Sequence, residues 1–261
     1  MLHPFFSSPR PLVFAHRGGS ALAPENTIAA FENGLALGAD GLELDVQLSR
    51  DGIVVVHHDA MLERTTNLQG PVSERTAGEL SRADAGFFFR DRGGFPFRGR
   101  GIGVPTLADV LLKHREARVI VELKGDRMEL ARATVETIRA AGAIDRVCLG
   151  AFGARILRAA RSFEPALATS ASGSEVRWAL YRSWCRLPAS RVRYAGYQIP
   201  EWAGRTHVVT PRFIAAAHRA RLGVQVWTVD EPADAGRLLE WGVDALITDR
   251  PDLIVPLVQS F

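Results

Sequence analysis

The sequence has few of the features that mark disulfide-rich, membrane-spanning or secreted proteins. It contains two cysteines, Cys148 and Cys185, so one disulfide is allowed, but neither a disulfide framework nor a CxxC metal site is present. No apolar run reaches the length of about 18 residues that a membrane-spanning helix requires. The N-terminus lacks the basic and apolar regions of a signal peptide. We therefore expect a soluble, cytoplasmic protein.

Lysine is also scarce, and positive charge is spread thinly. Of 32 basic residues only Lys113 and Lys124 are lysine, and the net charge is +3 with a pI of about 9.2. No run of basic residues and no aromatic-basic stripe points to a nucleic-acid partner. The chain has 261 residues and is 47% hydrophobic, which argues against disorder and suits one large domain or two small ones.

Short apolar segments alternate with helical signals along the chain. The helical signals include Asn26 and Thr27 as caps before an apolar face that stops at Gly38, the capping-box spacing of Thr106 and Asp109, and Thr210 before a proline. Eight strand–helix alternations are typical of a (β/α)8 barrel, a TIM barrel of the α/β class. The eight predicted strands are Leu12–Ala15, Gly41–Leu48, Val119–Leu123, Val147–Ala151, Leu167–Ser170, Ala195–Ile199, Val224–Val229 and Ala245–Thr248.

Two segments after the second strand depart from the alternation. Ile53–His57 follows that strand after only Arg50-Asp51-Gly52, which predicts an antiparallel hairpin strand rather than a barrel strand. Residues 67–104 contain several phenylalanines and glycines and predict an inserted subdomain within a single domain of residues 1–261. The phenylalanines either pack the insertion onto the barrel or form a lid or wall of the substrate pocket.

Carboxylates occupy alternate positions on neighbouring strands. Glu43 and Asp45 share one face of the second strand, and Glu122 lies on the next strand with Lys124 two residues on. Side-by-side carboxylates inside a barrel repel each other unless a positive charge lies between them. A divalent cation with oxygen ligands, Mg²⁺ or Ca²⁺, meets this need, although ion pairs at the barrel rim are the plain alternative.

Three further sites at the strand ends are candidates for chemistry. Lys124 is one of two lysines in an arginine-rich chain, which favours a phosphate contact over a salt bridge to Glu122. His16 and Arg17 end the first strand before two glycines, which allow the backbone to approach a ligand. His57 and His58 end the hairpin strand, and only one of them can face the barrel mouth.

Two positions late in the chain complete the candidates. Trp227 lies at the level where it can wall an organic group, although it could equally be a core residue. Asp249 and Arg250 follow the last strand, where an ion pair between them would close the barrel rim. Arg64-Thr65-Thr66 is interpreted as structural.

The ordered set of motifs resembles the glycerophosphodiester phosphodiesterase family from about residue 12 to residue 255. The match is weakest over residues 150–200. The motifs, as they stand here, are His16-Arg17-Gly18, Ala23-Pro24-Glu25-Asn26-Thr27, Glu43-Leu44-Asp45-Val46, His58-Asp59, Arg64-Thr65-Thr66, Pro105-Thr106-Leu107, Glu122-Leu123-Lys124, Trp227-Thr228-Val229 and Ile247-Thr248-Asp249-Arg250-Pro251.

The resemblance implies a TIM barrel that binds one divalent cation through Glu43, Asp45 and Glu122; the expected ion is Mg²⁺ or Ca²⁺, with Mn²⁺ as a further candidate. It also implies His16 and His58 as the acid–base pair, with Arg17 and Lys124 on the phosphate. The expected substrates are small glycerophosphodiesters such as glycerophosphocholine, cleaved to glycerol 3-phosphate and an alcohol. The nucleophile is either water or a neighbouring glycerol hydroxyl that forms a cyclic phosphate.

Three alternatives remain open from the residues. A lysophospholipase D-type enzyme on the same scaffold would need an apolar opening, formed by phenylalanines of the insertion: Phe87, Phe88, Phe89 and Phe95. A non-catalytic phosphodiester-binding barrel would be expected to lack a ligand or a histidine. A lyase or isomerase with a metal enolate site would explain the carboxylates and Lys124 but not the two histidines. No nucleic-acid partner and no membrane span are expected.

Overall fold

A computed structural model describes residues 2–185, 187 and 192–261. Its main sheet contains eight parallel strands in the order β6-β5-β4-β2-β1-β11-β10-β7, and a parallel bridge between Ser170 and Gly196 joins the two ends into a barrel. The TIM barrel predicted from the alternation is confirmed. The described strands are β1 (Leu12–His16), β2 (Gly41–Leu48), β3 (Val54–Val56), β4 (Arg118–Leu123), β5 (Val147–Gly150), β6 (Ala168–Thr169), β7 (Gly196–Pro200), β8 (Trp202–Ala203), β9 (Thr206–His207), β10 (Gly223–Trp227) and β11 (Ala245–Thr248).

Helices follow the barrel strands and cover them on the outside. Thr27, Thr106 and Thr210 cap α1, α3 and α7 by accepting a backbone N–H bond, as their sequence positions predict. Among the described residues, no helix combines the length and the apolar character that crossing a bilayer requires. The α-helices are α1 (Ile28–Ala36), α2 (Ala77–Leu80), α3 (Leu107–Lys113), α4 (Met128–Ala140), α5 (Ala154–Phe163), α6 (Gly173–Trp184), α7 (Pro211–Arg219), α8 (Pro232–Glu240) and α9 (Pro251–Gln259).

The extra strand β3 lies outside the parallel barrel. It pairs antiparallel with β2, with Val46 opposite Val56 and Leu48 opposite Val54. The hairpin predicted from Asp51-Gly52 is therefore confirmed. The pairing carries the chain back along β2, so the residues after β3 return to the rim where β2 carries its carboxylates.

The segment between β3 and α3 packs around a small apolar cluster of its own. Short helical turns at Val72–Glu74 and Ala77–Leu80 belong to this segment. Its aromatic side chains contact arginine: the Arg98 guanidinium carbon lies 3.7 Å from the centre of the Phe95 ring and 4.2 Å from that of Phe87. The buried cluster consists of Val55, Leu62, Val72, Leu80, Ala85 and Val104.

The interior of the barrel is filled from its N-terminal end. Phe5 and Phe6 form a short 3₁₀ turn before β1, both are buried, and Phe5 stacks on Phe14 with ring centres 5.9 Å apart. Cys148 belongs to the same cluster and is a free thiol, as is the exposed Cys185, so the disulfide that the sequence allowed is not formed.

Replacing Gly41 with alanine is expected to destabilise the barrel. An added methyl group at Gly41 would lie 2.5 Å from the Arg118 carbonyl oxygen and 2.6 Å from a Phe14 ring carbon. Overpacking of this kind costs about 1–3 kcal/mol. Gly236→Ala is the matched control, because nothing lies within 4 Å of its added carbon and a helical Gly→Ala change stabilises by about 0.5–1 kcal/mol. Urea unfolding should shift the two variants in opposite directions, and an unchanged midpoint for Gly41→Ala would refute the packing argument.

Candidate active site

A cavity of about 570 Å³ opens where the barrel strands end. Parallel strands place their carboxyl ends on one rim, so residues far apart in sequence meet there. Seven of the eight predicted site residues line the cavity: His16, Arg17, Glu43, His58, Glu122, Lys124 and Trp227. The eighth, Asp45, is buried in β2. The structure thus brings together the residues selected from the sequence, while their roles remain predictions.

Three carboxylates form a compact cluster at one end of the cavity. Asp45 and Glu122 are direct partners in the β2–β4 register. One oxygen from each of Glu43, Asp45 and Glu122 lies within 4.8 Å of the others. Burial and the adjacent Asp45 carboxylate raise the pKa of Glu43 to about 8. Negative charge is therefore crowded at this point.

Two cations lie against Asp45. Lys124 Nζ is 2.9 Å from Asp45 Oδ1 and 3.0 Å from Glu122 Oε1, and Arg17 Nε is 3.3 Å from Asp45 Oδ2. Although burial alone would raise the pKa of Asp45, these cations lower it below its ordinary value. The salt bridge between Lys124 and Glu122, considered above as the alternative to a phosphate contact, is present in the structure.

The carboxylate cluster fits a divalent cation on chemical grounds. All three donors are oxygens, they converge within one coordination sphere, and none is a sulfur or nitrogen ligand. Lys124 and Arg17 offset part of the negative charge, but Arg17 is shared with Glu25, whose Oε1 accepts from Arg17 Nη1 at 2.9 Å. The raised pKa of Glu43 shows that the compensation at that carboxyl is incomplete. A small hard cation would complete it.

His16 is oriented by a carboxylate from the last barrel strand. Its Nδ1 lies 2.7 Å from Asp249 Oδ1, which also accepts a 2.6 Å bond from the Ser20 hydroxyl. The other ring nitrogen, Nε2, is 3.7 Å from Glu43 Oε2. Burial lowers the pKa of His16, but the nearby Glu43 and Asp249 carboxylates outweigh burial and raise it to about 9. Nδ1 is thus engaged, and Nε2 is directed toward the carboxylate cluster.

The prediction of an ion pair between Asp249 and Arg250 is wrong. Asp249 is engaged by His16 and Ser20, whereas Arg250 Nη2 pairs with Asp252 Oδ2 at 2.8 Å. Asp249 follows β11 and β1 lies beside β11 in the barrel, so the carboxylate faces the histidine at the end of β1. The sequence contained the relevant signal, since Asp249 follows a strand that ends on the same rim as His16.

His58 is held by the residue that follows it. Its Nδ1 lies 2.6 Å from Asp59 Oδ1. Asp59 also accepts from Arg64 Nε, and Arg64 donates two 2.7 Å bonds to Glu25, the carboxylate that pairs with Arg17. Arg64 has a structural role, as predicted. Its bonds to Asp59 and Glu25 connect the loop that carries His58 to the loop that carries Arg17.

His57 is not among the residues that line the cavity, whereas His58 is, in agreement with the strand alternation. Its Nδ1 lies 2.8 Å from the Asp59 carbonyl oxygen and its Nε2 lies 3.1 Å from the Thr65 hydroxyl. Burial lowers its pKa below the ordinary value for histidine. His57 therefore stabilises the turn that presents His58.

The turn after β1 and the segment before α1 hold the carboxylates in place. Arg17 has a φ of 50°, and a methyl group added at Gly18 would lie 2.7 Å from the Ala30 backbone. Asn26, also at positive φ, donates from Nδ2 to Asp45 Oδ2 at 2.8 Å and accepts from the Asp45 backbone at 3.2 Å. Sequence reasoning grouped Asn26 with Thr27 as a helix cap. It is instead a positioning residue for Asp45.

The opposite side of the cavity is largely apolar. Trp227 lies there, with its ring 6.2 Å from that of Phe152 in an edge-to-face arrangement. The apolar lining residues come from the loops after β5 and β6, from α6 and from β7, and include Phe152, Ala171, Val176, Leu180, Ile199 and Pro200. The expectation that phenylalanines of the insertion form an apolar opening is wrong. The residues lining the cavity include none of Phe87, Phe88, Phe89 and Phe95.

Comparison with known proteins agrees with this geometry. The model of the glycerophosphoryl diester phosphodiesterase family matches residues 16–253. A glycerophosphodiester phosphodiesterase of Caldanaerobacter subterraneus subsp. tengcongensis is 33% identical over 96% of this chain and 99% of its own length.

Solved structures with the same fold include two that have more than a quarter of their aligned residues identical to those of this chain. A glycerophosphodiester phosphodiesterase from Agrobacterium tumefaciens has a TM-score of 0.76 and 30% identity, covering 94% of this chain and 99% of its own. A phosphodiesterase from Oleispira antarctica, solved with the product sn-glycerol-3-phosphate, has a TM-score of 0.76 and 26% identity, covering 96% of this chain and 97% of its own.

Proposed function

Because this chain belongs to the glycerophosphoryl diester phosphodiesterase family, it is a phosphodiesterase of glycerophosphodiesters, and we propose that it cleaves glycerophosphocholine and similar deacylated phospholipids. The proposed products are glycerol 3-phosphate and the alcohol. The observation that carries this proposal is a cavity lined by two histidines, each paired with an aspartate, at one end of which three carboxylates cluster.

Glu43, Asp45 and Glu122 are the proposed ligands of one divalent cation, Mg²⁺ or Ca²⁺, with Mn²⁺ as a further candidate. When bound, such an ion would offset the negative charge that develops on the phosphate oxygens during cleavage. Asn26 orients Asp45 for this role through two hydrogen bonds. The proposal is supported by the mutual distances of the three carboxylates and by the part of their charge that Lys124 and Arg17 leave uncompensated.

Arg17 and Lys124 are the proposed phosphate ligands. Both line the cavity and both already lie against Asp45, so a phosphate bound beside the carboxylates is within their reach. Arginine offers several donors in a fixed plane, whereas lysine supplies a compact point charge. Glu25 keeps Arg17 directed toward the site by accepting from its guanidinium.

We assign His16 as the base and His58 as the acid; a cation bound by Glu43 would lower the raised pKa of His16 and so favour the neutral ring that can accept a proton. His16 takes a proton from the attacking hydroxyl as its oxygen forms a bond to phosphorus, and His58 donates a proton to the alkoxide as the phosphorus–oxygen bond to the alcohol breaks. His16 lies beside the carboxylate cluster and His58 on a different loop, which suits attack and departure on two sides of the phosphate. Asp249 and Asp59 fix the two rings through Nδ1.

Trp227 and Phe152 are the proposed contacts for the alcohol portion of the substrate. We further propose that residues 67–104 are an inserted subdomain with a structural role, because their phenylalanines pack against arginines and do not line the cavity. The soluble diester is preferred over a lysophospholipid because the matching family and relatives are named for glycerophosphodiesters.

Hydrolysis of glycerophosphocholine by the purified protein tests the proposal directly. Treatment with EDTA should abolish release of glycerol 3-phosphate, and Mg²⁺, Ca²⁺ or Mn²⁺ should restore it, because the clustered carboxylates need the cation. A competition between soluble diester and micellar lysophospholipid separates the two substrate classes. Activity that persists in EDTA would refute the metal requirement. Activity on lysophospholipid alone would refute the assignment of soluble glycerophosphodiesters as the substrates.

A further inference from the structure

The outward face of α6 has an unusual composition for a helix on the surface of a barrel. Trp178, Tyr181 and Trp184 are 55%, 50% and 53% exposed. They recur every three residues, so they lie next to one another along the helix. The rings of Trp178 and Tyr181 stack with centres 5.6 Å apart. A surface helix ordinarily turns charged and polar residues outward, so this aromatic face has the character of an interface.

Another helix of the same barrel shows the ordinary pattern. The exposed positions of α4 are charged residues of both signs: Glu129, Arg132, Glu136 and Arg139. On α6 the inward positions are filled normally, with Leu180 and Ser183 buried. The aromatic residues on the outside are therefore additional to the core-facing set and are not needed to attach α6 to the barrel.

The charge around this aromatic face is positive. Within the helical stretch Gly173–Trp184 the basic residues are Arg177 and Arg182, and the acidic residue is Glu175. Both oxygens of Glu175 accept bonds from Arg161, at 2.8 and 3.1 Å. Its charge is thus already matched by an arginine outside this stretch. The guanidinium carbon of Arg182 lies 5.8 Å from the centre of the Trp178 ring, so positive charge accompanies the aromatic surface.

The same helix borders the mouth of the cavity. Val176, Arg177 and Leu180 line the cavity, and Phe152, 68% exposed, lies beside the start of α6, where the Gly173 N–H donates to its carbonyl at 3.1 Å. A surface that covered the aromatic face would therefore lie close to the opening through which substrate and product pass.

We propose that the aromatic face of α6, comprising Trp178, Tyr181 and Trp184 with Arg177 and Arg182 of the same helix, docks on a membrane surface rich in anionic phospholipid headgroups. Indole and phenol rings favour the boundary between headgroups and acyl chains. Arginines beside them are attracted to the negative surface potential of anionic lipids. A second copy of this chain would bury the aromatics too, but a symmetric contact would place Arg177 and Arg182 of one copy near the same arginines of the other. Charge complementarity therefore selects the lipid surface.

Co-sedimentation with sized vesicles tests this docking. The wild type should bind vesicles of equal parts phosphatidylcholine and phosphatidylglycerol, bind pure phosphatidylcholine weakly, and dissociate as salt screens the charge. The variant Trp178→Ser/Tyr181→Ser/Trp184→Ser should bind the anionic vesicles at least about tenfold more weakly, since the interfacial residues are lost. Its hydrolysis of soluble glycerophosphocholine should be unchanged, because none of the three residues lines the cavity.

A matched control replaces three exposed leucines elsewhere, Leu37, Leu112 and Leu253, with serine; this variant should bind vesicles like the wild type. Trp184→Ser alone serves if the triple variant loses its circular dichroism spectrum. Absence of wild-type binding at low salt, or equal binding by the triple variant, would overturn the proposal. A wild-type dimer that the triple variant converts to a monomer, measured by light scattering, would overturn it in favour of a second copy.

Discussion

The His16→Ala and His58→Ala variants are each expected to turn over glycerophosphocholine at least about two orders of magnitude more slowly than the wild type. Both imidazoles line the cavity, and each is oriented by an aspartate at Nδ1. Removing either ring removes a proton acceptor or donor without removing the proposed metal or phosphate ligands. Initial rates measured at saturating metal and substrate give the comparison.

A substrate with a better leaving group distinguishes the two roles. In a glycerol phosphodiester of p-nitrophenol, the p-nitrophenolate leaves without being protonated. The rate defect of the acid variant should therefore shrink, while that of the base variant persists. With His58 as acid, only His58→Ala should recover. Recovery of His16→Ala instead would reverse the assignment.

His218→Ala is the control for both rate comparisons, because His218 pairs with Asp244 on the outside of the barrel and is not a lining residue of the cavity. Near-normal turnover in His16→Ala or His58→Ala would show that the replaced histidine has no part in the mechanism.

Divalent cations are expected to raise the thermal unfolding midpoint of the wild type. A ligand that binds only the folded state stabilises by about 2.7 kcal/mol when present at a hundred times its dissociation constant. Glu43→Gln/Glu122→Gln removes two of the three proposed ligands at nearly constant side-chain size and should abolish the shift. The same variant should lose hydrolysis, so one pair of substitutions links binding to activity.

Calorimetric titration with Mg²⁺ and Ca²⁺ measures the binding separately from turnover. In EDTA the double variant should unfold at the same temperature as the wild type or higher, since two carboxylates of a crowded cluster have been neutralised. Glu129→Gln/Glu136→Gln, on the exposed face of α4, is the matched control and should retain the full metal-dependent shift. An undiminished shift in the active-site variant would show that the ion binds elsewhere.

Much of the barrel and of the site could be predicted because both depend on local signals. Strand alternation placed Glu43 and Asp45 on one face, and the ends of parallel strands meet on one rim. Thr106 and Thr210 marked helix starts through chemistry that involves only nearby residues. The family resemblance then linked these positions to a reaction, which pattern alone could not have done.

The residues that were missed depend on contacts between distant parts of the chain. Asp249 reaches His16 across 233 residues, and Arg64 reaches Glu25 across 39. The pairing of Asn26 with Asp45 requires the positive φ of Asn26, which a helix-capping interpretation does not suggest. The aromatic face of α6 was passed over because periodicity shows that side chains share a face but not whether that face is inward or outward.

The closure of the barrel has a consequence for how such an enzyme can diversify. The ends of the sheet meet through one bridge, Ser170 to Gly196, beside the two-residue strand β6, whereas β2 and β4 share six paired positions. In the strand order, β1 and β2 lie directly across the barrel from this seam. The strands bearing His16, Glu43 and Asp45 thus lie farthest from the seam. We expect the seam side, which carries the proposed contacts for the alcohol, to accept exchanged loops more readily than the side that holds the proposed catalytic groups, so that a new substrate would not require new chemistry.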